Sequence, residues 1–590
     1  MKIGLEIHQR INSHKLFCNC SSEFADEDSS LVISRRLHPV LSELGETDEA
    51  SKAEFEKGKL FQYQVFPKNN CLVETDEEPP NNLNEDALKI AIEIALQLKS
   101  NIVDEVQVMR KMVIDGSNTS GFQRTALIAL DGHLDTSKGQ VQIPAIAIEE
   151  ESAGIVSKGD SVTTYRLDRL GIPLVEIATD PDIKDAQHLR EVAEKIGMIL
   201  RATGKVARGL GTIRQDVNIS TEGGARVEIK GVQDLKTLPD LAENESKRQL
   251  ELVKIIHELR SRNAYPVVKE AVDTSSIFKN TDAKLIQAGI KGGAVVLAQK
   301  LSGFKGLLGR EIQPKKRFGT ELSDYAKMAG VKGIIHSDED LSKYKISAHE
   351  ISELKKKLAI KQNDCFIMVV APPDQAEKAL GNAVLRANMD FVPEETRGAN
   401  PDATSSFQRP LPGKARLYPE TDVPPIPITK EFLESVEVSE SLEDKKKKLE
   451  KLLNKELASK MLKSRHLHIF EKLVEEGADP KLAASTIENT IVSLRREGVE
   501  FKDLEKTLLD LFREYKKGSF VKAAIPDVMK GMAKGASAES VIKVYRLQKI
   551  TGKALEKIIN EEGHDLKKIM AKYRLQVDPQ EVAQLIKKKA

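Results

Sequence analysis

Residues 4–18 read GLEIHQRINSHKLFC, and the first half of this stretch alternates apolar and polar side chains. Such alternation predicts a β-strand, in which successive side chains point to opposite faces of a sheet. Glu6 and His8 would then share one face, while Leu5 and Ile7 share the other. Because a carboxylate and an imidazole can ligate one ion, this strand predicts both a sheet and a metal site on it.

More acidic residues occur in apolar, strand-like sequence further along the chain. Glu149, Glu150 and Glu151 follow the run IPAIAI, Glu176 lies in IPLVEIA, and Glu228 lies in RVEIK. Buried carboxylates are costly, so several of them on one sheet need cations, and oxygen-rich ligand sets suit Mg²⁺ better than zinc. For any one of these glutamates, the alternative is the solvent face of a half-buried strand.

Two further segments are candidates for phosphate or substrate binding. Arg214, Asp216 and Asn218 are spaced by two, so they would line one sheet face, where they could bind phosphate, metal or a carbonyl group. The loop from Gly116 to Gly121 could present backbone N–H groups and hydroxyls to a phosphate, and a plain turn is the alternative. The polar residues of this loop are Ser117, Asn118, Thr119 and Ser120.

The cysteines leave two interpretations open. Cys18, Cys20 and Cys71 could hold zinc if a fourth ligand were present, but the spacing differs from the usual pairs of zinc-binding cysteines. Ordinary buried thiols are the alternative.

Several common catalytic motifs are absent from the sequence. It contains no GxxxxGK[ST] sequence and no GxSxG sequence, which excludes a P-loop and a hydrolase elbow. ATP, if it is used, must bind in another way.

Composition and charge place the chain among globular proteins of several domains. The chain has 590 residues, of which 40% are hydrophobic and 31% are charged, and it contains four cysteines. We expect a cytoplasmic protein without a membrane segment, because no apolar stretch approaches the length of a membrane span. Residues 515–590 contain 17 basic and 8 acidic residues, a net charge of +9, against +1 for the whole chain. This basic end suggests nucleic acid as a partner, and a solvated lysine-rich surface is the alternative.

The order of five motifs is more specific than any one of them. They are GLEIHQRINSHKLFC at 4–18, EEESAG at 149–154, YRLDRLGIPLVEIATDPD at 165–182, GTIRQDVNIS at 211–220 and RVEIKG at 226–231. Together they resemble the B/E family of tRNA-dependent amidotransferase subunits. The resemblance implies that ATP phosphorylates the side chain of glutamate carried by tRNA(Gln), and that ammonia then displaces the phosphate to give Gln-tRNA(Gln).

The resemblance also implies a fold class, an α+β protein of several domains. Residues 275–395 resemble the insertion domain of bacterial-type aspartyl-tRNA synthetases, which marks the archaeal, E-type branch of the family. The sequence from 394 to 428 returns to the family pattern. The expected domains are a mixed α/β cradle-like catalytic domain at 1–274, an inserted α+β domain at 275–395, a return segment of the cradle at 396–429, an all-helical domain at 430–517 and a basic helical tail at 518–590.

Site residues follow from the resemblance position by position. His8, Glu150 and Glu176 match the catalytic residues that hold the more permanent Mg²⁺ ion. Glu6 and Glu228 match those that complete a second metal site, and the motif with Arg214, Asp216 and Asn218 would position substrate or metal.

Partners are implied in the same way. A separate asparaginase-like amidase, the D-type subunit of the archaeal enzyme, would supply ammonia in an α2β2 heterotetramer, and Glu-tRNA(Gln) would be the substrate. The basic C-terminal helices would bind tRNA phosphates, with Lys587, Lys588 and Lys589 at their end.

Two other functions remain as hypotheses. The chain could be a non-catalytic tRNA-binding scaffold with a structural metal cluster, which ATP consumption dependent on Glu-tRNA would exclude. A relative of aspartyl-tRNA synthetase would need ATP-binding synthetase motifs, and we find none in the sequence.

Overall fold

The protein forms two compact units, Met1–Ser439 and Glu440–Ala590. The computed structural model describes residues 1–39, 51, 54–55, 58–159, 161–411 and 417–589, without the side chain of Lys589. Every strand of two or more residues that the structure describes lies in the first unit, and the second is helical. The prediction of mixed α/β structure followed by a helical C-terminal region is therefore confirmed.

The strands of the first unit belong to one large sheet and several small ones. In chain order they are β1 (Lys2–Arg10), β2 (Leu31–Arg35), β3 (Leu60–Val65), β4 (Asn101–Ile102), β5 (Glu105–Val106), β6 (Val108–Met112), β7 (Phe122–Thr136), β8 (Gly139–Glu150), β9 (Gly154–Lys158), β10 (Val162–Arg166), β11 (Pro173–Ala178), β12 (Ile213–Ser220), β13 (Val227–Val232), β14 (Val272–Asp273), β15 (Val295–Leu301), β16 (Glu311–Gln313), β17 (Lys316–Arg317), β18 (Ile335–His336), β19 (Cys365–Ala371), β20 (Glu395–Ala399), β21 (Ser405–Pro410), β22 (Leu417–Pro419) and β23 (Ile426–Pro427).

The large sheet has β1 near its middle. Its strand order is β21-β20-β13-β12-β1-β11-β8-β7-β6-β22, with β4 beside β7. Within this order β13 and β20 are parallel, whereas β1 pairs antiparallel with both β11 and β12. Ile3, Leu5 and Ile7 are buried on one face of β1, against which the helix Ala186–Ala202 packs. The alternation in the sequence thus leaves Glu6 and His8 on the opposite face.

Some helices of the first unit begin where a side chain caps a free N–H group. Asn84 accepts a hydrogen bond from the N–H of Ala87, and Asp185 accepts one from the N–H of His188.

No helix among the described residues is long and apolar enough to cross a membrane. The α-helices of this unit are Glu85–Gln97, Ala186–Ala202, Leu238–Ser261, Lys284–Lys291, Phe318–Lys327, Ala348–Lys357, Pro373–Ala387 and Lys430–Glu434.

The region predicted as an insertion has a sheet of its own. Its strand order is β14-β15-β19-β18, and the helix Pro373–Ala387 packs against β15 and β19. The chain then returns to the large sheet through β20, which lies beside β13. The proline-rich stretch after it contains the short strands β21, β22 and β23. Residues 412–416 lie outside the described residues.

The second unit has helices around two apolar clusters. The larger cluster contains buried residues from Leu449 to Leu547, and the smaller one contains buried residues from Leu555 to Val582. The α-helices are Leu442–Leu452, Lys455–Lys463, Leu467–Glu475, Pro480–Ser485, Ile491–Arg496, Leu504–Lys516, Ile525–Met532, Ala538–Val544, Gly552–Glu561, Leu566–Tyr573 and Pro579–Lys589.

Two of the expected domain limits therefore move. Residues 518–547 pack with the helices before them in the larger apolar cluster. Gly518 has a positive φ and Pro526 stands in the first turn of the helix Ile525–Met532, so both residues occur inside this core region. The helix Lys430–Glu434 lies in the first unit, whose limit is Ser439.

Candidate metal centre

His8 lies among three carboxylates on the polar face of the large sheet. His8 is paired with Glu176 across β1 and β11, and Glu149 reaches the same point from β8. The Nε2 atom of His8 is 3.6 Å from Glu6 Oε1, 3.4 Å from Glu149 Oε1 and 3.5 Å from Glu176 Oε2. Three neighbouring strands thus bring one imidazole and three carboxylates into a single pocket.

A second acidic pocket adjoins the first and shares Glu6 with it. Glu6 is paired with Asp216 across β1 and β12, and Glu228 lies on the next strand, β13. One carboxylate oxygen from each of these three residues lies within 4.8 Å of the other two. Thr396 on β20 donates a hydrogen bond to Glu228 Oε2 at 3.0 Å.

Two lysines compensate part of this negative charge. Lys111 Nζ lies 3.0 Å from Glu149 Oε2 and 3.5 Å from Glu176 Oε2. Lys230 Nζ lies 2.9 Å from Asp216 Oδ2 and 2.8 Å from Glu228 Oε1. Each pocket therefore holds its carboxylates together with one ammonium group at its side.

The titration of these groups reflects burial and mutual repulsion. Burial and the neighbouring Glu176 raise the pKa of Glu6 to about 8. Burial opposes the charged form of His8, but the contacts with Glu176 and Glu149 raise its pKa to about 9. Burial would also raise the pKa of Glu176, yet Lys111 and His8 lower it well below its ordinary value. Near neutral pH Glu6 is therefore mostly protonated and His8 is charged, so a cation that binds here must displace protons from both groups.

The side chains fit a divalent cation of the magnesium type. Glu6, His8 and Glu176 each offer a ligand atom within 4.8 Å of the others. Glu176 Oε2 is buried, and its contacts to His8 and Lys111 are both at 3.5 Å, the limit of a hydrogen bond. Carboxylate oxygens outnumber the one imidazole nitrogen here, and oxygen ligands are those that Mg²⁺ prefers.

Glu150 does not lie in this pocket, which corrects the expectation from the sequence. Successive residues of β8 face opposite sides, so Glu149 points to His8 and Glu150 points away. Glu150 Oε2 accepts a hydrogen bond of 3.0 Å from the backbone N–H of Arg124. The sequence alone does not show which of the three consecutive glutamates faces His8, because this depends on the register of β8 with β11.

The loop predicted to bind phosphate lies on the side of Glu150, with which it lines a small pocket. Its polar groups are used within the fold: the N–H of Ser117 donates to Asp115, and the hydroxyl of Thr119 donates to the carbonyl of Glu74. Asn118 is buried, and the hydroxyl of Ser120 donates to the carbonyl of Phe122. These bonds favour the alternative of a structured turn.

The three residues of the RxDxN motif have separate contacts. Asp216 belongs to the second acidic pocket, and Asn218 is half-buried and paired with Glu228 across β12 and β13. Arg214 is paired with His8 across β1 and β12, and its Nη1 is 2.5 Å from Glu151 Oε1.

Sequence reasoning missed Lys111, Lys230 and Thr396, and it named Glu149 among the acidic residues but assigned the metal site to Glu150. Lys230 stands two residues after Glu228, so period-two alternation could have placed it on the same face. No local signal marks Lys111 or Thr396, because strand pairing alone brings β6 and β20 to the site.

The fold adds a fourth polar group to the three cysteines. Ligand atoms of Cys18, Cys20, Cys71 and Glu74 all lie within 4.8 Å of one another. Cys18 Sγ donates to Glu74 Oε1 at 2.8 Å, and Lys15 Nζ lies 3.2 Å from the same oxygen. Burial and the Glu74 carboxylate raise the pKa of Cys71 to about 11, so this thiol is protonated at neutral pH.

The lysines predicted to bind tRNA lie at the end of the second unit. Lys587 and Lys588 are exposed in the helix Pro579–Lys589. The side chain of Lys589 lies outside the described residues.

Comparisons with known proteins agree over nearly the whole chain. Residues 1–434 match the GatB/GatE catalytic domain, and residues 468–562 match the GatB domain. Three similar proteins are each named as the E-type subunit of glutamyl-tRNA(Gln) amidotransferase. The protein from Methanocaldococcus jannaschii is 47% identical over 95% of this chain and 91% of its own length. The protein from Pyrococcus furiosus is 45% identical over 95% of this chain and 90% of its own length. The protein from Methanosarcina barkeri is 44% identical over 100% of this chain and 97% of its own length. The chain therefore belongs to the GatB/GatE family, as its motifs indicated.

Proposed function

We propose that this chain is the amidotransferase subunit that converts Glu-tRNA(Gln) to Gln-tRNA(Gln) with ATP, through a γ-phosphoryl glutamyl intermediate. The observation that carries the proposal is the convergence of Glu6, His8, Glu149 and Glu176 in one pocket. The names of the similar proteins support the substrate and the reaction.

The polar face would hold Mg²⁺ in two adjoining pockets. His8, Glu149 and Glu176 would hold one ion, and Asp216 and Glu228 the other, with Glu6 between them. When bound, Mg²⁺ neutralises the charge of the transferred phosphoryl group.

The chain's own residues would orient the reactants and manage protons. The glutamyl carboxylate is ionised near neutral pH and needs no base before it attacks ATP. Lys111 fixes Glu149 and Glu176, and Thr396 fixes Glu228, so the carboxylates keep their positions during the reaction. In the second step ammonium must lose a proton before it attacks, and a carboxylate of the cluster accepts it.

Ammonia would come from a partner, the asparaginase-like D-type amidase, with which the chain would form an α2β2 heterotetramer. The inserted domain, with its separate sheet, would correspond to the insertion of bacterial-type aspartyl-tRNA synthetases. Both assignments rest on the motifs and the order of the domains.

The decisive experiment supplies ammonium chloride in place of the ammonia-producing partner. The full chain is incubated with ATP, Mg²⁺ and Glu-tRNA(Gln), and both Gln-tRNA(Gln) and ADP are measured. We expect product, and ADP formation that requires Glu-tRNA(Gln). Binding of tRNA without any ADP formation would favour the scaffold with a structural metal cluster.

The C-terminal lysines give a test of tRNA binding. Replacing Lys587, Lys588 and Lys589 with alanine should weaken tRNA binding and reduce the slope of log Kd against log salt, because fewer counterions are released. The dissociation constant is measured at several salt concentrations, with Lys254→Ala as the control, because Lys254 is an exposed lysine on the helix Leu238–Ser261 of the first unit. An unchanged slope for the triple variant would exclude these lysines from the interface.

A further inference from the structure

A group of arginines lies beside the acidic pockets on the same face of the large sheet. Arg10 follows His8 by two residues in β1, so it faces the same side about 7 Å further along the strand. Arg214 is paired with His8 on the neighbouring strand β12. Arg169 lies at the end of the short helical turn Leu167–Arg169, which precedes β11.

All three arginines contact one carboxylate, that of Glu151. Arg214 Nη1 lies 2.5 Å from Glu151 Oε1, and Arg169 Nε lies 3.5 Å from the same oxygen. Arg10 Nε pairs with Glu151 Oε2. One buried carboxylate therefore faces three guanidinium groups.

The group carries an excess of positive charge. Three guanidinium groups and one carboxylate have a net charge of +2. The nearby Arg166 does not compete for Glu151, because Arg166 Nε donates to Asp168 Oδ1 at 2.8 Å. Burial, together with Arg214 and Arg10, lowers the pKa of Arg169 although Glu151 opposes this change. Glu151 thus compensates only part of the positive charge.

Two of the arginines can also be reached from solvent. Glu151 is fully buried, whereas the side chains of Arg169 and Arg214 are 28% and 26% exposed. Arg169 donates through Nε to the carbonyl of Ser152, and Arg10 donates through Nε to Glu151. Arg169 and Arg214 can therefore meet a ligand directly, whereas Arg10 is 9% exposed, lies over the ring of Phe24 and contributes its positive charge.

We propose that Arg10, Arg169 and Arg214 form an anion site that binds a phosphate group of a substrate, next to the cation pockets. The identity of the ligand rests on the proposed function. The phosphate group would belong either to the triphosphate of ATP or to the phosphodiester at the 3′ end of the tRNA. A guanidinium group binds two phosphate oxygens through parallel hydrogen bonds, and the negative charge of a phosphate group offsets positive charge at this place.

Binding of inorganic tripolyphosphate to the full chain in EDTA tests the site without catalysis or metal. Arg169→Gln and the double variant Arg10→Gln/Arg169→Gln should weaken binding by about 10-fold and about 100-fold, as charged hydrogen bonds are lost. Glu151→Gln should strengthen it, because it removes the competing carboxylate. Arg190→Gln is the control, since Arg190 is an exposed arginine paired with Glu194 on a helix.

A second arm identifies the source of the phosphate. The same variants are tested with intact tRNA and with tRNA lacking its 3′-terminal nucleotides. Weaker tripolyphosphate binding with unchanged tRNA binding assigns the site to ATP. If the variants bind intact tRNA more weakly but bind the truncated tRNA and tripolyphosphate like the wild type, the site is assigned to the 3′ end of the tRNA.

The proposal is overturned if the arginine variants bind both probes like the wild type. It is also overturned if Glu151→Gln weakens binding as the arginine variants do, which would indicate a purely structural cluster. Failure of the proposed function is distinct, because a chain that binds tripolyphosphate through these arginines but forms no Gln-tRNA(Gln) keeps the anion site and loses the reaction.

Discussion

His8→Ala is expected to lower kcat/KM for Gln-tRNA(Gln) formation by at least about 100-fold, since it removes the one imidazole from the acidic pocket. The carboxylates of Glu6, Glu149 and Glu176 would remain without the group that separates them. Initial rates of product formation at saturating ATP measure the effect.

Cation binding provides a readout of the same change that does not depend on activity. Binding of Mn²⁺ by electron paramagnetic resonance should be weakened in His8→Ala and in Glu149→Gln. Glu150→Gln is the matched control, because Glu150 precedes and follows other glutamates but points to Arg124. Equal Mn²⁺ binding by His8→Ala and the wild type would remove His8 from the metal centre. Loss of binding in Glu150→Gln alone would contradict the geometry of β8.

Glu321→Ala is expected to destabilise the first unit by about 3 to 5 kcal/mol, the cost of breaking a buried ion network. Glu321 Oε2 is 3.0 Å from Arg248 Nη1 and 3.2 Å from Arg386 Nη2, and Glu321 Oε1 is 3.1 Å from Arg397 Nη2. All four side chains are buried. Without Glu321, three guanidinium groups remain with Glu245 and Glu395 as their counterions.

Denaturant unfolding measures this loss of stability. Glu377→Ala is the control, because Glu377 is an exposed residue whose contact with Lys269 is 3.5 Å, and exposed pairs contribute about 1 kcal/mol or less. A free energy of unfolding that falls equally in both variants would show that the buried network adds nothing to stability.

The same network predicts a pH dependence. Burial opposes ionisation of Glu321, but Arg397, Arg248 and Arg386 lower its pKa far below the ordinary value. A group with a lowered pKa in the folded state stabilises the protein fully above its unfolded pKa of about 4.3, and this stabilisation is lost as the pH falls towards the folded value. The difference in unfolding free energy between wild type and Glu321→Ala should therefore shrink below about pH 4.

Local pattern was sufficient for much of the fold. Alternation in residues 4–10 predicted β1 and the face that carries Glu6 and His8, because a strand has a period of two. The motifs of the first 231 residues indicated the family that the comparisons then showed. The limit expected at 517/518 lies inside one apolar cluster, because residues 518–547 pack with the helices before them.

By itself, the sequence determined which chemical groups this protein carries and on which face of its own strand each one lies. Only the tertiary structure decided that Glu149 rather than Glu150 meets His8, that Thr396 holds Glu228, and that Glu151 is surrounded by arginines. The physical reason is that register and strand order depend on pairing between segments far apart in the chain. A shift of one residue in that pairing would exchange every side chain of a strand between the two faces.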